Sequence, residues 1–318
     1  MLRGLVDELV EKKVAVEDQG AICIFVGKKN SPPLMIQKSN GGFGYATTDL
    51  AAARYRANEI KADRIVYVTD VGQELHFKQI FEAAKNKCGF VDAKKTQMDH
   101  MMFGMVLQET KEIDEETGKE TITVGKIKTR AGKSTKLSEL LDEARDRALK
   151  TFKERKAGKA PAEGEPVEEE QKEGEAHQTK VQIESDEEME KAAEILGISA
   201  VKYYDLSRDR TQNYTFSFDA MLDPQGNTGV YLIYAYVRIC SILRKAGYDE
   251  ATSKMEDFKF EISHPTEREV AKSLLKLPES IEEASKTLNI NRLTTQLYEI
   301  SKKVSDQYHQ TKVIGSEE

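Results

Sequence analysis

The fold is decided by residues 42–56, GFGYATTDLAAARYR, together with residues 64–77, RIVYVTDVGQELHF. The first stretch is typical of a helix start, because Thr47 or Thr48 can cap the first free amides and an alanine-rich run follows. In the second stretch, the apolar run at 65–69 predicts a strand buried on both faces, and the residues after it have apolar side chains at helical spacing. A helix, a strand and another helix predict part of a doubly wound α/β sheet.

Tyr45, Asp49 and Gln73 in these stretches form a candidate ligand site. Tyr45 and Asp49 are four residues apart and share one side of a helical turn if the helix begins early. Gln73 follows the predicted strand, and ligands of doubly wound sheets bind beyond the carboxyl ends of the strands. A carboxylate can take the planar fork of a guanidinium through two charge-assisted hydrogen bonds, while tyrosine and glutamine add further contacts. The set therefore suits a guanidinium.

An ordinary interpretation competes with this one. An aspartate in the first turn of a helix usually complements the helix dipole. A glutamine after a strand usually lies in a solvated loop. Spacing alone favours the ordinary interpretation.

The same stretches resemble the arginine-binding half of the arginyl-tRNA synthetases, and the motifs match in order and spacing. In that family the residues matching Tyr45, Asp49 and Gln73 hold the side chain of the substrate, which reverses the preference above. The resemblance implies the second half of a class I synthetase Rossmann-like α/β catalytic domain, followed by an all-α anticodon-binding helical bundle. It also implies arginine–tRNA ligase activity, in which ATP activates L-arginine and tRNA(Arg) accepts it, with release of AMP and diphosphate.

Residues 99–107, DHMMFGMVL, resemble the family segment on which the adenine of ATP rests. The resemblance implies ATP contacts from His76, Phe103, Gly104, Met105 and Lys128. Without it, a buried strand in which methionine fills gaps would be preferred for this segment.

Residues 125–141, GKIKTRAGKSTKLSELL, resemble the loop that stands in this family where other class I synthetases carry KMSKS. The resemblance assigns Lys128 and Arg130 to catalysis, because mobile cations can neutralise a pyrophosphate as it leaves. A basic run is more often a solvated face, but the helix expected from Ser138 supports the functional interpretation. Residues 110–123 predict a polar hairpin with its turn at 116–119.

Residues 226–247, GNTGVYLIYAYVRICSILRKAG, form the clearest helix, which Asn227 or Thr228 can cap and Gly247 can end. The helix resembles the first helix of the anticodon-binding bundle. Aromatic side chains interleaved with a cation can stack on bases and meet phosphates, or can simply pack into a core. We expect both, with Tyr234 or Arg238 facing RNA. The candidate tRNA-binding residues are Asn227, Tyr231, Tyr234, Arg238 and Ser241.

The charge of the chain is uneven. The net charge of the 318 residues is −7, but residues 157–190 contain 12 acidic and 3 basic residues. That segment has few aliphatic residues and no aromatic ones, so we predict a disordered insertion whose removal leaves a net charge of +2. The predicted organisation is a catalytic half at 1–156, the insertion at 157–190, a connection at 191–222 and an anticodon-binding domain, truncated, at 223–318.

Cys23, Cys88 and Cys240 are isolated, and no spacing suits a zinc site, so we expect no structural metal and a reducing compartment. No apolar run is long enough for a membrane span, and acidic residues in the first helix argue against a signal peptide. The expected location is the cytoplasm, with neither membrane nor DNA as a partner.

The chain departs from the family pattern because it contains no HxGH motif, whose histidines hold the phosphates of ATP in the family. It resembles the middle and late portion of a synthetase, and we expect it to be inactive alone. The alternative function is a non-catalytic tRNA-binding or scaffold fragment. The expected partners are tRNA(Arg), L-arginine and ATP with Mg²⁺, and a multi-synthetase complex is a further candidate assembly.

Overall fold

A computed structural model describes residues 2–27, 31–113, 120–126, 136–157, 185–248 and 261–311. Contacts divide the chain into two compact units, Met1–Met105 and Val106–Glu318. Each unit is described by itself.

The first unit begins with helix α1 (Leu2–Glu11), followed by an antiparallel sheet that the sequence patterns did not predict. The sheet contains β1 (Val16–Asp18), β2 (Ala21–Ile24) and β3 (Leu34–Gln37), in that order. Large side chains from α1, β2 and β3 are fully buried in the core of this unit, and they are Leu9, Ile24 and Ile36.

Helix α2 (Tyr45–Asn58) begins earlier than its threonines suggested. Its N-cap is Gly44, which supplies no side-chain cap, so the predicted cap at Thr47 or Thr48 is wrong. Both threonines lie inside the helix, where Thr47 donates its hydroxyl to the carbonyl of Ile36 and Thr48 donates to the carbonyl of Tyr45 at 2.9 Å. Both threonine hydroxyls are therefore satisfied by carbonyl groups. Because α2 begins at Tyr45, Asp49 lies in the second turn of the helix.

Strands β4 (Arg64–Asp70) and β5 (Gln97–Phe103) pair in parallel, with Asp70 opposite Phe103 at their carboxyl ends. A 3₁₀ turn (Val71–Gln73) connects β4 to helix α3 (Glu74–Glu82), and a single π-helical turn (Ala83–Lys87) extends α3. This parallel pair with its helices confirms the predicted α/β type.

Strand β4 is buried on one face, so the prediction of burial on both faces is wrong. Ile65 and Tyr67 are buried, but Val66 and Val68 are 38% and 59% exposed. Successive side chains of a strand point to opposite faces. Helices α2 and α3 contribute Leu50 and Ile80 to the same core as Ile65, which accounts for burial of that face alone.

The second unit contains a sheet of three strands, β6 (Val106–Ile113), β7 (Glu120–Lys126) and β8 (Tyr214–Thr215). Strands β6 and β7 are antiparallel, from Leu107 opposite Lys126 to Ile113 opposite Glu120. The predicted hairpin is thus confirmed, although it begins before residue 110. Its predicted turn at 116–119 lies outside the described residues.

The helices of the second unit pack in two groups, with α5 against α4 and α7, and α10 against α7, α8 and α9. Among the described residues, none of the helices is long and apolar enough to cross a membrane. The helices are α4 (Leu137–Lys156), α5 (Asp186–Leu206), α6 (Phe218–Leu222), α7 (Gly229–Lys245), α8 (Pro265–Leu275), α9 (Leu277–Thr287) and α10 (Asn291–Gln310).

Helix α5 overlaps the predicted disordered insertion. Residues 158–184 lie outside the described residues, but residues 186–190 are helical, so the predicted end of the insertion at 190 is wrong. The amide of Glu188 donates to the Ser185 hydroxyl at 3.1 Å, and the Glu188 side chain accepts from the Ser185 amide, which makes a capping box. Acidic residues at this position also complement the helix dipole.

Helix α7 confirms both predicted ends. Of the two candidate caps, Thr228 is the one used, because its hydroxyl accepts from the amide of Tyr231 at 3.1 Å. At the other end Gly247 has a φ of 73°. The amides of Gly247 and Tyr248 donate to the carbonyls of Arg244 and Leu243 at 3.1 and 2.9 Å, which is a Schellman motif.

Thr228→Ala is expected to lower the free energy of unfolding by about 1 kcal/mol, because it leaves the first amides of α7 without their cap. Thr228→Ser keeps the hydroxyl and is the matched control, expected to lose less. Urea denaturation of the three chains measures the difference. Equal stability of the alanine variant and the parent chain would show that the cap contributes nothing.

Candidate functional site

The candidate site lies at the carboxyl edge of the parallel pair. Gln73 ends the 3₁₀ turn that follows β4, and Phe103 is the last residue of β5, followed by Gly104 and Met105. Because Asp70 and Phe103 are opposite each other, these two segments leave the sheet side by side. The arginine-binding and adenine-binding segments predicted from the sequence therefore start at neighbouring positions.

Asp49 and His76 form a hydrogen-bonded pair between α2 and α3. The Nε2 atom of His76 lies 2.7 Å from Oδ2 of Asp49, and both side chains are partly buried. The ring of Phe77 packs against the His76 imidazole, edge to face, at 5.1 Å between centroids. Oδ1 of Asp49 makes no hydrogen bond to a described residue. The pair thus presents one carboxylate oxygen to a ligand, and the ATP contact predicted for His76 stays a prediction.

Gln73 is held by Asp70. Its Nε2 group donates to Oδ2 of Asp70 at 2.9 Å, and the amide of Gly72 donates to Oδ1 of Asp70 at 2.9 Å. The hydrogen bond from Gln73 is the largest cause that holds the pKa of Asp70 below its ordinary value. Burial opposes it, and the hydrogen bond from the Gly72 amide lowers the pKa further. A Cβ at Gly72 would lie 2.8 Å from Asp70 Oδ1, so a larger residue there would displace the Asp70 side chain.

Tyr45 is the first residue of α2 and is 87% exposed. It lies one helical turn before Asp49, so the two side chains share one side of α2 as the spacing predicted. Its hydroxyl and ring are accessible to a ligand of Asp49.

The segment predicted to bind adenine is open to solvent at Phe103 and Met105. Phe103 is 44% and Met105 is 43% exposed, whereas Met98 is buried in the core. The ordinary interpretation, a buried strand with methionine as filler, therefore describes Met98 but not the predicted contact residues.

The two predicted catalytic cations, Lys128 and Arg130, lie outside the described residues. Strand β7 ends at Lys126 and α4 begins at Leu137, one residue before the predicted start.

Two of the candidate tRNA-binding side chains contact other residues of the second unit, Asn227 from an exposed position and Tyr231 from a partly buried one. Asn227 Oδ1 lies 2.6 Å from the hydroxyl of Tyr203, whose pKa burial raises to about 12. The ring of Tyr231 packs edge to face against Tyr298 of α10 at 5.4 Å. Ser241 is half-buried on α7. These positions support the expectation that part of the α7 set is core.

Tyr234 and Arg238 form the outward part of the set, together with Tyr308 of α10. Nη2 of Arg238 donates to the Tyr234 hydroxyl at 2.8 Å, and its guanidinium lies 5.0 and 4.9 Å from the rings of Tyr234 and Tyr308. Tyr234 is 46% exposed. Sequence reasoning missed Tyr308, because it lies on a helix far along the chain. Tyr234, Arg238 and Tyr308 are called the aromatic cluster below.

Comparisons with known proteins identify the class. In two overlapping stretches, 1–172 and 164–218, the chain matches the family described as "tRNA synthetases class I (R), catalytic domain". Residues 232–318 match the family described as "DALR anticodon binding domain". An α/β edge site followed by an anticodon-binding helical domain defines a class I aminoacyl-tRNA synthetase. The chain belongs to the arginyl-tRNA synthetase family.

Relatives and a solved structure of the same family support this assignment. The arginine–tRNA ligase of a Synechococcus strain is 42% identical over 322 residues, covering 100% of this chain and 49% of the relative. That of a Synechocystis strain is 43% identical over 306 residues, covering 95% and 46%. The crystal structure of the Plasmodium falciparum arginyl-tRNA synthetase superposes with a TM-score of 0.72 at 29% identity, covering 99% of this chain and 46% of the other. The chain spans about half the length of the curated relatives it matches.

No group of three or more His, Cys, Asp and Glu side chains is placed to hold a metal within the part of the chain that the structure describes. No side chain is therefore assigned to the Mg²⁺ expected with ATP.

Proposed function

We propose that this protein takes part in arginine–tRNA ligation, in which ATP, L-arginine and tRNA(Arg) give arginyl-tRNA, AMP and diphosphate. The observation that carries the proposal is the Asp49 carboxylate, held by His76 on α3, the helix that begins directly after Gln73 at the carboxyl edge of the sheet. The carboxylate can accept hydrogen bonds from a cation. Its neighbours Tyr45 and Gln73 suit a planar cation such as a guanidinium.

In this proposal Tyr45, Asp49 and Gln73 select the arginine side chain. Oδ1 of Asp49, the oxygen that His76 does not occupy, accepts one guanidinium N–H group, and the amide oxygen of Gln73 accepts another. Lysine has a compact ammonium group and cannot match the fork, which gives selectivity between the two cations.

Activation requires the arginine carboxylate to attack the α-phosphate of ATP, which forms an adenylate and releases pyrophosphate. Phe103, Gly104 and Met105 receive the adenine, and Lys128 and Arg130 neutralise the departing pyrophosphate. Catalysis of this kind consists mainly of positioning and charge neutralisation, and the Mg²⁺ that accompanies ATP would add to the neutralisation.

Residues 232–318, which match the anticodon-binding family, are assigned to tRNA, with the aromatic cluster as the contact surface. Exposed rings beside a guanidinium offer stacking to bases and a charge to phosphates. We place the protein in the cytoplasm and retain a multi-synthetase complex as a candidate assembly.

One sequence observation favours a second function. The chain has no HxGH motif, so it lacks the histidines that would hold the ATP phosphates. In a non-catalytic role, as a tRNA-binding protein or a scaffold, the aromatic cluster would still bind tRNA. The affinity for tRNA would fall steeply as the salt concentration rises.

Arginine-dependent ATP–pyrophosphate exchange by the purified 318-residue chain, with and without tRNA, separates the two functions. Exchange specific to arginine would support ligation and refute the non-catalytic role. Absence of exchange combined with salt-sensitive tRNA binding would support the non-catalytic role. Calorimetric titration with L-arginine, using lysine as the control ligand, tests the arginine site separately from the ATP chemistry.

Tyr234→Ala is expected to weaken tRNA binding about tenfold, because stacking of a base on an aromatic ring contributes roughly 1–3 kcal/mol. Tyr236→Ala is the matched control. Tyr236 is 66% exposed on the same helix, but two residues along and therefore on the other side of it. Filter binding at fixed salt measures both variants. Equal losses in the two variants would exclude the aromatic cluster as the contact surface.

A further inference from the structure

A guanidinium has five N–H donors and no acceptor. Every polar group that contacts it must therefore offer an oxygen. Asp49 meets this requirement by its chemistry. Gln73 does not, because a carboxamide carries a donor end and an acceptor end of almost the same shape. Something must decide which end of Gln73 faces the ligand.

Asp70 is placed to make this decision. Its Oδ2 atom accepts from Nε2 of Gln73 at 2.9 Å, and its Oδ1 atom accepts from the amide of Gly72. Gln73 and Gly72 also hold the pKa of Asp70 below its ordinary value, so the side chain is a carboxylate at neutral pH. A carboxylate only accepts hydrogen bonds, so the NH₂ end of Gln73 must face Asp70.

The opposite end of the same amide, Oε1, then points away from Asp70. Oε1 makes no hydrogen bond to any residue that the structure describes. His76 acts similarly on Asp49, since it occupies Oδ2 and leaves Oδ1 without a partner among those residues. Each of the two groups thus has one neighbour that holds it and one oxygen left over.

We propose that Asp70 is a specificity-determining positioning residue, which orients the Gln73 amide so that the site presents only acceptors. This inference rests on the proposed arginine site. A site of acceptors favours a guanidinium and disfavours a ureido side chain, such as that of citrulline. The ureido oxygen stands where arginine has an NH₂ group, and it would face other oxygens.

A purely structural role for Asp70 predicts a different pattern of effects. Asp70 also holds the turn through the Gly72 amide, and an asparagine can keep that contact with its own carbonyl oxygen. Asp70→Asn therefore preserves the turn but directs an NH₂ group at Gln73. The Gln73 amide is expected to rotate, which would turn its donor end towards the ligand.

The test measures binding of L-arginine and L-citrulline to the 318-residue chain by calorimetry. Asp70→Asn is expected to weaken arginine binding about tenfold, the size expected for one lost hydrogen bond together with an opposed donor, and to narrow the preference over citrulline. Adding Gln73→Glu should restore arginine binding, because a carboxylate can accept from Asn at position 70 and from the guanidinium together.

Asp92→Asn is the matched control. Its Oδ1 atom accepts from the amide of Lys94 at 2.9 Å, the same local turn as at Asp70 but away from the site. It is expected to leave arginine binding unchanged. A loss in this variant equal to that in Asp70→Asn would overturn the inference by showing a general effect of the substitution.

The side-chain amide resonances of Gln73 give a readout that needs no ligand. They are expected to shift in Asp70→Asn, and unchanged resonances would overturn the inference. If the parent chain binds arginine and Asp70→Asn binds it equally well, the inference fails and the arginine site stands. If the parent chain binds no arginine although the resonances shift as expected, the proposed function fails. The specificity role of Asp70 then fails as well, because it rests on the arginine site.

Discussion

Asp49→Ala is expected to remove most of the affinity for arginine, with a loss of about 2–4 kcal/mol, or roughly 30-fold to 1,000-fold in the dissociation constant. The loss is large because the carboxylate contributes its negative charge and the acceptor oxygen Oδ1 to a ligand that only donates. The substitution should also abolish the preference for arginine over lysine, since an ammonium lacks the planar pair of N–H donors that could meet Asp49 and Gln73 together. Calorimetric titration with both amino acids measures the change.

Asp49→Asn is the companion variant, because it keeps the size of the side chain. It should lose nearly as much arginine affinity, since its NH₂ group would oppose a guanidinium donor. Urea denaturation of both variants checks that the first unit remains folded. Unchanged arginine affinity in a folded Asp49→Ala chain would exclude Asp49 from the site.

Gly197→Ala is expected to destabilise the second unit by about 1–3 kcal/mol. A Cβ at Gly197 on α5 would lie 2.7 Å from the backbone nitrogen of Arg145, and 2.8 and 2.9 Å from the carbonyl carbon and oxygen of Ala144. All three atoms belong to the backbone of α4, so no side chain can move aside. The two helices would have to separate along their contact.

The control for this prediction is Gly4→Ala on α1. A Cβ at Gly4 meets no heavy atom within 4 Å, and alanine in a helix is more favourable than glycine by about 1 kcal/mol. The two substitutions are chemically identical and are expected to have opposite signs in urea denaturation followed by circular dichroism. Stabilisation by both would show that α4 and α5 do not meet closely at Gly197.

Features encoded by neighbouring residues could be predicted from the sequence. The ends of α7 could be marked by Asn227 or Thr228 as the cap and by Gly247, because a cap and a left-handed turn depend only on local chemistry. The sequence did not decide between the two caps. The position of Gln73 just beyond a strand, and of Tyr45 and Asp49 on the preceding helix, followed from the helix–strand–helix order. Their roles as ligand contacts remain predictions.

Features that depend on distant residues could not be predicted. The alternating valines of β4 are apolar, so the sequence could not show that Val66 and Val68 lie on an exposed face. The contact between His76 and Asp49 joins residues 27 positions apart on two helices. The Gln73–Asp70 contact had a local signal, an aspartate two residues before a glycine, which is typical of a turn closed by the aspartate side chain.

Close backbone packing on both sides of α5 has a mechanical consequence. Gly197 allows α4 to pack against α5. At Gly229 on α7 a Cβ would lie 3.1 Å from the Cβ of Tyr203 and 3.2 Å from the Cα of Ala200, so α7 also packs closely against α5. Because they pack this tightly, the three helices are expected to move together as a rigid body instead of sliding past each other. RNA that pushes on α7 would then displace Leu137, the first residue of α4, which follows the predicted catalytic residues Lys128 and Arg130 in the chain.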